Sequence, residues 1–349
     1  MNPATVTESP GAAAEMRVIP PAPPRRTEKS VRVQINIFAL NEGPTIGRVV
    51  RGVPAQLDGV ESVRVVVIDD GSTDATVAEA QAAGASVISH GTRRGLGAVF
   101  RSALTDALAN DADVMVTIDG DGQFDPAQIP QLVAPLLTNQ ADMATCSRFL
   151  DPALLPEMPA VKRWGNHTVA GLVSRLSGRQ LRDVSCGFRA YSHDALIRLN
   201  LMGAFTYTHE TILELAFKGM RIVEVPLAVR GVREFGRSRV ASNVLNYGVR
   251  TLQILFGTLL NHRPHLVFAT LAGVSATLGA VLAIVGLIPF ILTGSFLKWA
   301  MFTGAFFVAV AILLLLFGLQ ARALYRAQFL LENILYEQRR RDRVQRRGA

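Results

Sequence analysis

The stretch that decides the fold is Val114-Met115-Val116-Thr117-Ile118-Asp119-Gly120-Asp121-Gly122-Gln123. Its first five residues are apolar or β-branched and a glycine-rich turn follows, which predicts a short buried strand over Val114–Ile118. Asp119 and Asp121 then flank one glycine, and the amide of Gln123 follows. These oxygen ligands suit a hard divalent cation, Mg²⁺ or Mn²⁺, so we predict a metal site. The alternative is an acidic surface turn, because Asp-Gly pairs are common in turns.

The residues upstream of this stretch alternate between strand and helix patterns. The predicted strands are Val31–Leu40, Val63–Ile68 and Ala85–Ser89, and the predicted helices are Pro44–Leu57, Asp74–Ala83 and Gly97–Ala109. This alternation predicts an α/β fold, a mainly parallel sheet with helices on both faces. Such sheets bind ligands at the carboxyl ends of their strands. A second acidic turn, Asp69–Asp74, follows the second strand and should therefore share a cleft with Asp119 and Asp121.

The glycine pattern argues against a nicotinamide-binding domain. That fold needs G-x-G-x-x-G at the first strand-to-helix turn. The first turn here is Ala39-Leu40-Asn41-Glu42-Gly43, and the later pair Gly95 and Gly97 is followed by Phe100 where a third glycine is needed. A Walker A sequence is also missing from the printed chain.

Apolar residues are concentrated near the carboxyl end of the chain. The chain has 349 residues, 49% hydrophobic and 18% charged, with a net charge of +8 and a mean hydropathy of +0.27. Two runs, Leu266–Leu292 and Trp299–Leu319, contain no charged side chain, and Lys298 lies between them. Each run exceeds the roughly 20 residues that a membrane-spanning helix needs. The alternative is a buried hairpin in a soluble core; we predict two transmembrane helices and a lipid bilayer as partner. Small residues that allow close helix packing recur in the first run: Gly273, Ser275, Gly279, Ala280 and Gly286.

The flanks of these runs predict the topology. From Arg322 onward the chain carries eight arginines and three acidic residues, which by the positive-inside rule places both termini and the α/β domain in the cytoplasm, with the protein in the inner or plasma membrane. We see no basic stripe with interleaved aromatic residues and expect no nucleic-acid partner. The two cysteines lie 40 positions apart, at Cys146 and Cys186, which predicts neither a disulfide scaffold nor a cysteine zinc site.

The predicted organisation has five parts. Residues 1–30 form a flexible cytoplasmic tail, 31–240 the α/β domain, 241–264 a juxtamembrane amphipathic helix, 265–321 two transmembrane helices and 322–349 a basic cytoplasmic tail. The helix in the third part would lie at the membrane surface with its apolar side in the lipid.

Six motifs occur in an order that resembles the GT-A-fold glycosyltransferases of family 2, particularly their polyprenyl-phosphate branch, which includes dolichyl-phosphate mannose synthase. The motifs are Ala39-Leu40-Asn41-Glu42, Asp69-Asp70-Gly71-Ser72-Thr73-Asp74, Arg94-Gly95-Leu96-Gly97, Asp119-Gly120-Asp121-Gly122-Gln123, Ser147-Arg148 with Asp183–Arg189, and Arg233-Glu234-Phe235-Gly236-Arg237-Ser238-Arg239. The resemblance covers about 31–240 and implies that this part is a GT-A catalytic domain.

The resemblance also implies roles for individual residues. A nucleotide sugar, GDP- or UDP-linked, would be held by Ala39, Leu40, Asn41, Glu42, Asp70, Arg94, Gly95, Gly120 and Arg233. The metal would be held by Asp119, Asp121 and Gln123, and the acceptor phosphate by Arg148, Arg189, Arg237, Ser238 and Arg239. The residues expected to carry catalysis are Asp119, Asp121, Arg148 and Arg239. His209 is a second-rank candidate for a general base, because a phosphate acceptor is already ionised near neutral pH.

The expected activity is inverting transfer of a sugar from a nucleotide sugar to polyprenyl phosphate at the cytoplasmic face. Two alternatives stay open: a family 2 transferase with a polysaccharide or glycolipid acceptor, and a non-catalytic scaffold. Two spans in one chain cannot enclose a growing polymer, and the intact Asp119, Asp121 and Gln123 argue against a scaffold. The small residues in the first span are compatible with a homo-oligomer.

Overall fold

The structure, a computed structural model, describes residues 31–156, 158, 160–200, 207–231, 233–235, 253, 256–257, 259–260 and 263–348. It contains an α/β domain followed by two long helices. The seven strands are β1 Val31–Ala39, β2 Val60–Asp69, β3 Ser86–Ser89, β4 Val114–Asp119, β5 Met143–Ser147, β6 Arg189–Ser192 and β7 Ile222–Pro226.

These strands form one sheet in the order β3-β2-β1-β4-β6-β5-β7. Strand β6 is antiparallel to both of its neighbours, β4 and β5, and the other pairings are parallel. The central strands β1 and β4 are almost entirely buried, as expected for continuous apolar strands covered by helices on both faces. The predicted α/β class is confirmed, and all four predicted strands are present.

Helices cover both faces of the sheet, and two long helices follow the α/β domain. They are α1 Gly43–Gly52, α2 Thr76–Ala82, α3 Leu96–Ala109, α4 Ile129–Leu137, α5 Ala160–Ser177, α6 His193–Arg198, α7 Thr208–Phe217, α8 Pro264–Thr293 and α9 Lys298–Gly348. One core cluster joins the sheet to α1 and α4, and a second joins it to α3, α5 and α7. Helix α1 ends earlier than the predicted Leu57, because Val53 is extended ahead of Pro54.

The strand register brings the two acidic turns to one edge of the sheet. Asp69 at the end of β2 pairs with Ala39 at the end of β1. Asp119 at the end of β4 pairs with Phe38 on the other side of β1. The carboxyl ends of three adjacent strands therefore meet, as the sequence predicted, and we call this side of the sheet the carboxyl edge.

Helices α8 and α9 are long and apolar enough to cross a membrane, and they pack closely together. Their backbones approach at Gly279 and Gly304, where a Cβ added to either residue would lie 2.9 Å from the carbonyl oxygen of the other. The Ser275 hydroxyl donates to the Phe307 carbonyl across the pair at 2.8 Å. Small residues thus allow the close approach that their recurrence predicted. Residues 322–348, predicted as a separate tail, continue α9 without a break.

Gly71, in the second acidic turn, cannot carry a side chain. It has a φ of +82°, and a Cβ there would lie 2.6 Å from the Thr92 carbonyl carbon. Gly59 has a similar φ of +74° but open space around it. We expect Gly59→Ala to cost the ~1–2 kcal/mol of the left-handed conformation, and Gly71→Ala to cost clearly more because backbone must move.

Thermal unfolding of both variants in detergent measures this difference. For a domain of this size, 1 kcal/mol corresponds to roughly 2–4 °C in Tm. Equal Tm losses in Gly59→Ala and Gly71→Ala would contradict the close approach of the second acidic turn to residues 92–93.

Candidate active site

Asp121 lies at the carboxyl edge with its carboxylate almost fully enclosed. The residue is 3% exposed, and its Oδ1 accepts a hydrogen bond from the Gln123 backbone amide at 3.0 Å. Its Oδ2 lies 2.8 Å from Nη2 of Arg233. Gly120 donates to the Phe38 carbonyl at 2.8 Å, which extends the β1–β4 pairing as far as the residue before Asp121. The turn is therefore fixed by the sheet rather than free at the surface.

Asp119, the last residue of β4, is half-buried next to Gly187 and Tyr207. A Cβ added to Gly187 would lie 3.2 Å from both an Asp119 carboxylate oxygen and the Tyr207 hydroxyl. Burial and the negative charge of Asp121 raise the pKa of Asp119 to about 7, against the opposing charge of Arg233. A divalent cation beside both carboxylates would favour their ionised forms. The sequence did not single out Tyr207, whose hydroxyl donates to the Gly187 carbonyl at 3.0 Å.

Arg233 joins the first turn to the acidic pair. Its Nη1 donates to Oε1 of Glu42 at 3.0 Å, while its Nη2 contacts Asp121. Its Nε is buried and has no hydrogen-bond partner among the residues that the structure describes. A guanidinium between carboxylates, with a donor to spare, is suited to receive an additional anion such as a diphosphate oxygen.

The turn at Asn41 and Glu42 is fastened to the second acidic turn. Asn41 has a φ of +51°. Its side-chain oxygen accepts a hydrogen bond from the Thr73 backbone amide at 2.7 Å, and its backbone amide donates to the Ser72 hydroxyl at 2.8 Å. The Glu42 amide donates to the Thr76 hydroxyl at 2.8 Å. Two of the motifs therefore form one rigid unit, with Ala39 and Leu40 leading into it.

Asp70 has its carboxylate occupied by protein groups. It accepts hydrogen bonds from the backbone amides of Arg94, at 2.8 Å, and Gly95, at 3.0 Å. It also contacts Nδ1 of His90 at 3.2 Å, and His90 in turn reaches the Ser102 hydroxyl at 2.9 Å. Asp70 thus positions the Arg94-Gly95 loop at the start of α3. Its predicted contact with a nucleotide stays a prediction, and no sequence pattern pointed to His90.

Arg148 is bound by Asp183 and Ser185, which belong to the same sequence motif. Its Nε and Nη2 bind the two carboxylate oxygens of Asp183 at 2.6 and 2.9 Å, and Nη2 also reaches the Ser185 hydroxyl. Burial would raise the pKa of Asp183, but the charge and hydrogen bonds of Arg148 bring it below its ordinary value. The pair is therefore ionised at neutral pH. The predicted catalytic role of Arg148 stays a prediction.

Arg189 requires a correction, because a phosphate cannot reach it. The side chain is fully buried, and its guanidinium donates to backbone carbonyls of Val184, Cys186 and Thr208. Arg189 thus connects the loop before β6 to the start of α7. His209 is also buried, and burial followed by the charge of Arg189 lowers its pKa to about 3. His209 therefore has no exposed surface with which to act as a general base.

The residues at the acidic pair fit a divalent cation that keeps positions open for phosphate. The described residues contain no cluster of three His, Cys, Asp or Glu side chains that could hold a metal ion. A cation at this edge would therefore depend on the two carboxylates and on a neutral ligand. Gln123 uses its Nε2 to donate to the Arg230 carbonyl at 3.0 Å, so its Oε1 is the atom suited to a cation. Two carboxylates and one amide oxygen leave the remaining ligands of Mg²⁺ or Mn²⁺ to water or phosphate oxygens.

Three predicted acceptor residues, Arg237, Ser238 and Arg239, lie outside the described residues, as does most of the predicted juxtamembrane helix. The remaining predicted nucleotide and metal residues lie at the carboxyl ends of β1 and β4 or in the loops of this edge.

Comparison with known proteins relates this α/β domain to a class of transferases. The model of glycosyl transferase family 2 matches residues 35–199. A dolichyl-phosphate hexose transferase from Haloferax volcanii is 31% identical over 190 residues, covering 54% of this chain and 79% of the relative. An undecaprenyl-phosphate mannosyltransferase from Micrococcus luteus is 28% identical over 201 residues, covering 55% and 82%.

A solved structure adds a likeness in three dimensions. Glucosyl-3-phosphoglycerate synthase from Mycobacterium tuberculosis, in complex with Mn²⁺, uridine diphosphate and glucosyl-3-phosphoglycerate, is 25% identical with a TM-score of 0.51, covering 66% of this chain and 80% of that one. The chain belongs to glycosyl transferase family 2. The predicted GT-A-like fold and the resemblance to polyprenyl-phosphate transferases are confirmed.

Proposed function

We propose that this protein transfers one sugar from a nucleoside diphosphate sugar to polyprenyl phosphate at the cytoplasmic face of a membrane. The observation that carries the proposal is the joining of Glu42, Asp121 and Arg233 at the carboxyl edge, in a chain that also has two apolar helices. The polyprenyl-phosphate acceptors in the names of two relatives support the same acceptor class.

The residues at the carboxyl edge would bind and orient the donor. Asp119, Asp121 and Gln123 would hold Mg²⁺ or Mn²⁺, which supplies positive charge to the departing diphosphate. Arg233 would add a second positive charge next to that diphosphate, and the Asn41-Glu42 turn would hold the nucleoside. Positioned charges of this kind usually contribute the most to such catalysis.

Arg148 and Arg239 would orient the acceptor phosphate. The phosphate is largely ionised near neutral pH, so its oxygen can attack the anomeric carbon without a general base. Attack from the face opposite the leaving diphosphate forms the new glycosidic bond while the old one breaks, which inverts the anomeric configuration. The burial of His209 is compatible with this reaction.

The two-helix hairpin supports a cytoplasmic site. A chain that crosses a membrane twice returns to the side on which it began, and Arg347 near the carboxyl end contacts Asp111 of the α/β domain. Both parts must then lie on one side, and the arginine excess favours the cytoplasm.

The test is a substrate screen with the purified full-length protein in lipid nanodiscs. UDP- and GDP-sugars are each combined with polyprenyl phosphate and Mn²⁺ or Mg²⁺, and the lipid product is analysed by mass spectrometry and by its anomeric linkage. We expect one added sugar with inverted configuration. A sugar polymer, a retained configuration or the lack of any lipid product with all donors would overturn the proposal.

A further inference from the structure

The end of α9 binds the α/β domain at the side of the sheet opposite the carboxyl edge. Arg343 contacts Asp111 at 2.7 Å and Asp113 at 2.5 Å, in the loop between α3 and β4. Arg347, one helical turn later, binds the same two carboxylates and donates to the Asp111 carbonyl at 2.9 Å. We call these four residues the C-terminal clamp.

The clamp is shielded from solvent and ionised. Its side chains are between 7% and 21% exposed. Burial would raise the pKa of Asp111 and of Asp113, but hydrogen bonds bring both below their ordinary values. Arg347 donates to both carboxylates, Arg343 also donates to Asp111, and the Arg32 backbone amide also donates to Asp113. Since a lowered carboxylate pKa contributes stability that is lost only in acid, the clamp is intact at neutral pH.

Further contacts extend the clamp into a continuous docking face on α9. Glu332 lies 3.2 Å from Lys218 at the end of α7, and the Tyr336 ring lies 4.0 Å below the guanidinium of Arg198 at the end of α6. Arg339 donates to the Ile197 carbonyl at 2.9 Å. The contacting positions 332, 336, 339, 343 and 347 follow the three- and four-residue spacing of one helix face.

Helix α9 is long enough to join the membrane to this docking face rigidly. Its 51 residues span about 76 Å at the rise of an α-helix, of which a bilayer core takes about 30 Å. Residues 319–347 contain neither proline nor glycine, the usual causes of a sharp kink. The position of the α/β domain is thus tied to that of the membrane span.

We propose that residues 322–348 of α9 are a strut that, through the C-terminal clamp, fixes the height and orientation of the α/β domain above the bilayer. Among the described residues, the contacts of the strut lie at the ends of α6 and α7 and in the loop before β4, away from the carboxyl edge, so the strut would act on the reaction by position. Its consequence for a lipid acceptor rests on the proposed function; its mechanical role does not.

A distance measurement tests the strut without using activity. One spin label is placed on β2 at Ser62→Cys and one on the membrane span at Phe302→Cys, both exposed positions, whereas the native Cys146 and Cys186 are buried. We expect a narrow distance distribution in nanodiscs for the otherwise unchanged protein.

Two variants open the clamp from opposite sides. They are Arg343→Gln with Arg347→Gln, and Asp111→Asn with Asp113→Asn; Asn tolerates the left-handed backbone of Asp111, whose φ is +52°. Each should broaden the distribution, and combining them should add little. The matched control, Arg340→Gln with Arg341→Gln, removes the same charge from the same helix and should stay narrow. Distributions as narrow in both clamp variants as in the control would overturn the strut.

A kinetic measurement then tests the consequence for the acceptor. We expect the clamp variants to raise the KM for membrane-embedded polyprenyl phosphate by about tenfold, because the site is no longer held in position over the acceptor, with the KM for nucleotide sugar unchanged. An unchanged KM for the lipid, despite a broadened distribution, would overturn the positioning role. If the unmodified protein makes no polyprenyl product, the proposed function fails, while the distance measurement still decides on the strut.

Discussion

Asp121→Asn is expected to lower turnover by roughly 10²–10³-fold, the loss typical when one preorganised charge is removed from an active site. The amide keeps the shape of the carboxylate and removes its charge, so a divalent cation is held far less well. Because Asp121 is enclosed by Gln123 and Arg233, no anion from the solvent has room to replace the missing charge. The measurement is the initial rate with a saturating donor, alongside Mn²⁺ binding followed by calorimetry.

Asp125→Asn is the matched control for this variant. Asp125 lies on the same loop, but its carboxylate caps a single helical turn by accepting from the Ala127 amide at 3.0 Å. Asparagine caps a helical turn about as well as aspartate, so activity and stability should stay near those of the unmodified protein. Full activity of Asp121→Asn, or of the unmodified protein in excess EDTA, would remove the metal from the reaction.

The carboxyl edge was predictable because its signals are local. Val114–Ile118 followed by Asp119 and Asp121 carries both the strand and the turn within ten residues, and parallel strands bring their carboxyl ends together. Strand β6 was not predicted. It has only four residues, and its antiparallel place between β4 and β5 is set by pairing with segments distant in sequence.

The partners of two groups of arginines could not be predicted from sequence patterns. The family resemblance implied that Arg189 binds the acceptor phosphate, and a charged residue is almost never fully buried. Its real partners are carbonyls that only the folded chain gathers. Residues 322–349 were predicted to form a basic cytoplasmic tail without a partner in the α/β domain, because 230 residues separate Asp113 from Arg343 and no local pattern links them.

Arg233→Ala is expected to have opposite effects on metal binding and on turnover. Without the guanidinium, Glu42, Asp119 and Asp121 lose a positive charge that now contacts two of them. A divalent cation should then bind more tightly in the absence of donor, by roughly tenfold or ~1.4 kcal/mol. Turnover should fall by roughly 10²-fold, because a positioned charge next to the departing diphosphate is lost.

The pH of the metal titration decides whether the tighter cation binding of Arg233→Ala can be measured. Arg233 lowers the pKa of Asp119, which is about 7 with Arg233 present, so its removal raises that pKa further. Protons would then compete with the cation for Asp119 at pH 7, so the titration belongs at about pH 8.5, where this competition is weaker. Arg230→Ala, an exposed position three residues earlier whose backbone carbonyl still accepts from Gln123, is the control and should change neither quantity. Weaker Mn²⁺ binding by Arg233→Ala at this pH would mean that the guanidinium supports the metal site instead of competing with the cation for Asp121.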